Sequence, residues 1–199
     1  MEQVEKKWLA VLENELEKEM AKAPARVSSH DVNHIHRVWK YAKQIAKDTD
    51  VDWEVLIAAV FLHDIGRHYP EGVGDHGPIS APFAEKVLKR INFPLAKVNN
   101  ALTSIKFHDE TFLSSDRATL ESKILYDADK MDVFGAIGVS RYLIFNTARG
   151  KTLKETVEYA LENIKLKYET LELEQTKKIA EDRYKYVIQY FLDLKKEIE

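Results

Sequence analysis

Trp53-Glu54-Val55-Leu56-Ile57-Ala58-Ala59-Val60-Phe61-Leu62-His63-Asp64 is the stretch on which the fold turns. It is apolar at nearly every position except Glu54, the pattern of a helix buried on most of its sides. A chain that buries one helix so fully needs other helices around it, and the flanking sequence supplies them. His63 and Asp64 end the stretch, so an imidazole and a carboxylate arrive where an apolar helix stops. Gly66 to Gly77 follows, with four glycines, a proline and several polar groups, and reads as a loop of the kind that carries function.

Working upstream, Ile35, Val38, Ala42, Ile45 and Ala46 form an apolar stripe at helical spacing, in a helix running from about Ser28 to Asp48. Ser28 and Asp31 resemble its capping box, with Asp in place of Glu. His34 lies one turn before Val38 and points inward. Residues 2 to 20 carry Val4, Trp8, Leu12 and Leu16 four apart, an amphipathic helix, joined to the next by Ala23 to Ser29. Downstream, Ile79, Phe83, Val87, Leu88 and Ile91 predict a helix over Pro78 to Ile91, begun or kinked by Pro82. Leu95 to Phe107 is a further helix ending at His108. Asp109 to Thr119 is a polar connection that precedes the segment from Leu120 to Thr147. Helices near Thr152 to Tyr168 and Glu174 to Ile198 are expected to pack on the core without chemical groups.

Composition agrees with an all-α fold. Seven glycines and five prolines in 199 residues are few for a turn-rich sheet protein. A hydrophobic content of 45% suits one compact domain over 1 to 199, with a core at about 28 to 145 and C-terminal helices at about 152 to 198. The absence of cysteine removes disulfides, thiolate metal sites and cysteine nucleophiles. Thirty basic residues against 33 acidic ones leave a net charge of −3, no footprint for nucleic acid or an anionic membrane. Residues 1 to 20 lack the apolar run of a signal peptide or membrane span, so a cytoplasmic protein is expected.

The chemistry gathers at inward-facing polar groups. Asp127, Asp129 and Asp132 stand among Ile124, Leu125, Ala128, Met131, Val133 and Phe134. Three carboxylates within six residues of an apolar segment need a cation or hydrogen-bond donors to offset burial and mutual repulsion. Capping, or pairing with Lys and Arg, is the simpler account for at least one of them. A hydrogen-bonded core histidine is likewise the simpler account of His34, and a helix-end pair that of His63 with Asp64.

In ordered combination, however, these residues resemble one family. His30-Asp31-x-x-His34-x-x-Arg37-Val38, Phe61-Leu62-His63-Asp64-Ile65-Gly66, and Tyr126-Asp127-Ala128-Asp129-Lys130-Met131-Asp132 running into Gly135-Ala136-Ile137-Gly138 look like the HD-domain superfamily of metal-dependent phosphohydrolases. The match spans roughly residues 28 to 145. The resemblance implies a compact helical bundle in which His34, His63, Asp64 and Asp129 hold a divalent cation. It also touches His76 and His108, in His76-x-x-x-Ser80-Ala81 and Ile105-x-x-His108, similar to a branch whose two extra histidines bind a second metal or contact phosphate.

His30 and Asp31 are candidates to brace His34, with capping the other role open to Asp31, while His68 has no counterpart and is expected at the surface. Arg67 departs from nucleotidase-like members, which often carry an acidic residue three positions after the doublet. Their water-activating carboxylate is therefore not transferred. Arg67, Arg37 and Lys130 are candidate phosphate contacts, with ion pairs to nearby carboxylates the other role open to them. Arg141 could serve either purpose.

The implied activity is hydrolysis of a nucleotide or other small phosphate ester, by a phosphatase or pyrophosphohydrolase. Imidazole and carboxylate donors suit Mn²⁺, Fe²⁺, Co²⁺, Ni²⁺, Zn²⁺ or Mg²⁺. Asp64 and Lys130 would serve catalysis at the metal and phosphate, and His76 or His108 could protonate the leaving group. Two other functions remain open. A cyclic nucleotide or dinucleotide phosphodiesterase would need two metals, with both His76 and His108 bound. A non-catalytic regulatory module would keep a closed metal shell. Self-association into a homo-oligomer is left open.

Overall fold

The computed structural model describes residues 1–22, 31–69, 76–108 and 118–199. No strand occurs among the described residues, and nine α-helices and two 3-10 helices do. The fold is all-α. No described helix is long and apolar enough to cross a membrane. The expected connection at 23 to 29, the Ser28 cap and His30 lie outside the described residues, as does most of the connection from Asp109 to Thr119. The chain divides into two compact units, Met1–Tyr126 and Asp127–Glu199.

The first unit is built around α3, Trp53–Leu62, in which every residue from Val55 to Leu62 is buried. Asp52 caps it by accepting hydrogen bonds from the Glu54 and Val55 amides. Helices α1 (Glu2–Lys22), α2 (Val32–Ile45), α4 (His76–Arg90) and α5 (Leu95–Lys106) surround it. Such enclosure is what eight consecutive buried residues require, since no face of α3 is suited to water.

Helix α1 is anchored by its acidic residues as well as by Trp8, Leu12 and Leu16. Glu5 accepts from Trp39 Nε1 at 2.8 Å and Lys43 at 2.7 Å, both on α2. Glu54 on α3 accepts from Trp8 Nε1 at 2.7 Å. Glu15 and Glu19 hold Arg90 at the end of α4 at 2.5 and 2.7 Å. Both glutamates are buried, and each is matched by charge-assisted donors, as burial demands.

The expected loop from Gly66 to Gly77 is replaced, in its described part, by structure at both ends. Ile65–His68 forms a 3-10 helix and α4 already begins at His76. The two flanking glycines are there for close packing. A Cβ on Gly66 would sit 2.8 Å from the Ser80 amide nitrogen, and one on Gly77 2.7 Å from the Ile105 carbonyl oxygen. Gly66 N–H donates to Ser80 Oγ at 3.1 Å, tying the 3-10 helix to α4. Helix α4 runs through Pro82.

The segment from Leu120 to Thr147 is three elements. Helix α6 (Leu120–Lys130) gives way to a 3-10 helix at Met131–Val133, and α7 (Gly135–Thr147) starts at Gly135 with φ +71°. Gly138 allows the Val133 carbonyl to close against α7, where any Cβ would collide. In the second unit α7 packs with α8 (Leu153–Glu169) and α9 (Glu174–Ile198). Thr152 and Glu155 form a reciprocal capping box at the start of α8.

Candidate metal centre

Each polar group of the first unit's buried cluster is held by the element that carries it. His34 lies in the first turn of α2, where Asp31 caps the helix by accepting from the His34 amide at 2.8 Å. His63 follows the last residue of α3, and its Nδ1 lies 2.8 Å from the Val60 carbonyl. A carbonyl only accepts, so Nδ1 carries the proton and Nε2 keeps its lone pair. His108, just beyond α5, repeats the device with Nδ1 2.5 Å from the Ile105 carbonyl. His76 opens α4, with Gly77 packed against the end of α5.

These residues converge on Asp64. Its Oδ2 lies 3.6 Å from His34 Nε2 and 3.5 Å from His63 Nε2. Its Oδ1 accepts from Arg67 Nε at 2.6 Å and lies 3.4 Å from His76 Nε2. His76 Nδ1 is 2.8 Å from Arg67 Nη2, and His76 Nε2 is 3.0 Å from His108 Nε2. Donor atoms of His63, Asp64 and His108 all lie within 4.8 Å of one another. His34, His63, Asp64, His76 and His108 are each at most 5% exposed.

The spacing suits a shared cation. Two donors at right or tetrahedral angles about one ion, with bonds of about 2.0–2.2 Å, lie roughly 2.8–3.6 Å apart. The separations of 3.5 and 3.6 Å on the Oδ2 side are long for hydrogen bonds and fall in that range. Such His and Asp groups could hold a metal ion, and they present only nitrogen and oxygen donors.

The three aspartates at the end of α6 have separate fates within the second unit. Asp127 is buried and accepts from the Glu172 and Leu173 amides at 2.9 and 3.0 Å. Burial pushes its carboxyl up to about 6, against the pull of those two N–H groups. Asp132, fully buried, is paired with Arg141 at 3.0 Å. Asp129 is half-buried and accepts from Lys130 Nζ at 3.2 Å. Asp127 therefore anchors the α8–α9 connection.

Arg37 is half-buried on α2, three residues after His34. His68, expected at the surface, is 4% exposed on the 3-10 helix, and burial lowers its pKa while the Asp64 charge pulls it up. Sequence reasoning passed over the role of the Val60 and Ile105 carbonyls, which orient His63 and His108. A histidine just past a helix end, three residues after an apolar position, was the available signal.

A helical bundle whose central helix ends in His-Asp, with a histidine from the preceding helix turned onto that carboxylate, defines a class of protein. The chain matches the HD domain over residues 31–133 and belongs to that family. It is 26% identical over 178 residues to the Bacillus subtilis protein YpgQ, covering 86% of this chain and 85% of YpgQ. Among solved structures it is similar to a predicted HD superfamily hydrolase from an uncultured Thermotogales bacterium, at 26% identity and TM-score 0.67, covering 96% of this chain and 93% of that one. YpgQ in complex with ADP shares the fold at 21% identity and TM-score 0.66, covering 94% and 96%.

Proposed function

We propose that this protein is a metal-dependent phosphohydrolase of nucleotides or other small phosphate esters, with a divalent cation held by His34, His63, Asp64 and Asp129. The observation that carries the reading is the placement of Asp64 Oδ2 at metal-sharing distance from two buried imidazole nitrogens. Family membership supports it, since HD domains are metal-dependent and the chain keeps their H, HD, D order. The ADP complex of YpgQ supports a nucleotide as the phosphate-bearing ligand.

A divalent cation held there would supply Lewis acidity and lower the pKa of a water at the site. The chain's own residues do the rest. Asp31 holds the backbone that carries His34 by accepting from its amide, and the Val60 carbonyl fixes the His63 tautomer, so the His63 ring presents Nε2 without rearrangement. Enclosure by apolar side chains of α3 excludes bulk water and strengthens each charge interaction inside. Lys130 contributes positive charge for the phosphoryl oxygens, and the His76–His108 pair, with one proton between its Nε2 atoms at 3.0 Å, a proton for the leaving oxygen.

The test is a screen of metal-stripped protein, resupplied with Mn²⁺, Co²⁺, Mg²⁺ or Zn²⁺, against nucleoside mono-, di- and triphosphates, cyclic nucleotides and simple phosphomonoesters. Release of phosphate, pyrophosphate or a linear nucleotide separates phosphatase, pyrophosphohydrolase and phosphodiesterase. Metal-dependent turnover that is abolished in Asp129→Ala and His63→Ala is expected. Unchanged turnover in Asp129→Ala would refute the proposed centre.

A further inference from the structure

We infer that the Arg67 guanidinium stands where a second cation would sit between Asp64 and His76, so that the centre takes one metal ion and not two. The inference rests on the metal-centre reading above and deepens it.

Asp64 has two faces. Oδ2 is turned to His34 and His63, and Oδ1 to Arg67 and His76. A carboxylate so placed could join two cations, one on each side, the second drawing on Asp64 Oδ1, His76 and His108. The far side is instead spanned by Arg67, with Nε on Asp64 Oδ1 at 2.6 Å and Nη2 on His76 Nδ1 at 2.8 Å.

The polarity of the whole chain of contacts follows from two groups that cannot switch roles. Arginine only donates and stays charged, so His76 Nδ1 is the acceptor. The Ile105 carbonyl only accepts, so His108 Nδ1 is the donor and His108 Nε2 carries a lone pair. A neutral His76 then carries its proton on Nε2, which donates to His108 Nε2 at 3.0 Å.

A metal ion needs lone pairs at both of those Nε2 atoms. Here one carries a proton and the other already accepts it. Turning His76 to its other tautomer would set an Nδ1–H against a guanidinium N–H, and the ion itself would lie beside a fixed positive charge. Arg67 thus supplies a single immobile charge where a dinuclear centre would have a divalent ion. His76 and His108 act as a hydrogen-bond relay. The substrate class narrows to acyclic esters and anhydrides that one metal and one guanidinium can serve.

The experiment counts ions on the full chain. Mn²⁺ is titrated into metal-free protein by equilibrium dialysis, and the loaded samples are read by electron paramagnetic resonance. Wild type is expected to bind one ion with the six-line signal of isolated Mn²⁺. Arg67→Ala is expected to bind two, with the broadened signal of an exchange-coupled pair. Arg67→Gln, which keeps the volume and loses the charge, is carried alongside, and circular dichroism selects the variants that fold.

Two coupled ions in wild type, or a single ion in every folded Arg67 variant, overturns the inference. If neither variant folds, the wild-type count alone decides it in the same way. His63→Ala separates this from the parent reading. Unaltered Mn²⁺ binding in that variant sinks the metal centre itself, whereas loss of binding there combined with two ions in wild type sinks only the role of Arg67.

Discussion

His63 and His108 face each other across the first unit with ring centroids 5.1 Å apart, each with Nδ1 turned to the carbonyl three residues behind it. One ends α3 and the other follows α5, so two helix ends deliver two rings of the same tautomer to one place. Their outer neighbours differ. His63 Nε2 lies against Asp64 Oδ2, and His108 Nε2 against His76.

That difference predicts different losses. His63→Ala removes a metal donor and is expected to weaken Mn²⁺ binding by at least about 100-fold. His108→Ala is expected to hold Mn²⁺ within about 10-fold of wild type while kcat falls by about 10²-fold, the size of a lost proton-transfer group. Calorimetric titration with steady-state kinetics checks both. Equal metal loss in the two variants would contradict the assignment.

Gly77 sets how closely α4 approaches α5. A methyl group there meets the Ile105 carbonyl at 2.7 Å, the same carbonyl that orients His108. Gly77→Ala is expected to cost about 1–3 kcal/mol through overpacking and to lower turnover by displacing His76 and His108. Urea denaturation and kinetics on the same preparation check this, and wild-type behaviour in both would show that the helices can part freely.

Asp127 is expected to be a stability residue. Asp127→Ala strips the acceptor from the Glu172 and Leu173 amides and should cost about 1–3 kcal/mol. A thermal melt measures it, and no shift in Tm would mean that water replaces the carboxylate without loss.

Acid should unfold the chain through the anchors of α1. Hydrogen bonds from Lys97, Trp8 and Lys7 hold Glu54 down at about 2. Burial opposes the same shift in Glu19, where Lys22, Arg90 and Tyr69 together still bring it to about 2. A depressed carboxylate contributes stability above its unfolded value of 4.5, and that contribution is lost as pH falls from 4.5 to about 2. Asp127 acts in the opposite sense. Raised by burial, its contribution is complete below 3.8 and is lost as pH rises through about 6. Urea midpoints between pH 2 and 7 are expected to fall steeply at the acid end, and less steeply in Glu54→Gln. An identical slope in that variant would remove Glu54 from the account.

Metal binding should stabilise the folded chain by mass action, about 2.7 kcal/mol when the free ion is at 100 times its Kd. Chelator is expected to lower Tm and added Mn²⁺ to restore it, both read by scanning calorimetry. A Tm indifferent to both would argue against a resident ion.

Helix existence was legible along the chain because burial repeats every three or four residues, a local signal carried by side-chain type. The apolar run from Val55 to Leu62 announced a central helix, and the structure buries all eight residues. His34, His63 and Asp64 could be picked out because polar groups at the margins of apolar helices stand against their surroundings, whereas His76 and His108 came from the family resemblance alone. Composition excluded cysteine chemistry outright.

Tertiary structure alone decided the partners. That Arg67 joins Asp64 to His76, that Gly66 and Gly77 serve packing, and that Asp127 serves the connection before α9 all depend on which helix ends meet. The break at Met131–Val133 and the burial of His68 were hidden for the same reason. Periodicity records whether a residue turns inward, an effect of neighbours three or four positions away. What a side chain finds there depends on distant residues, as Arg67 meets His76 9 positions away and Asp127 meets Glu172 45 positions away, and no local pattern encodes that.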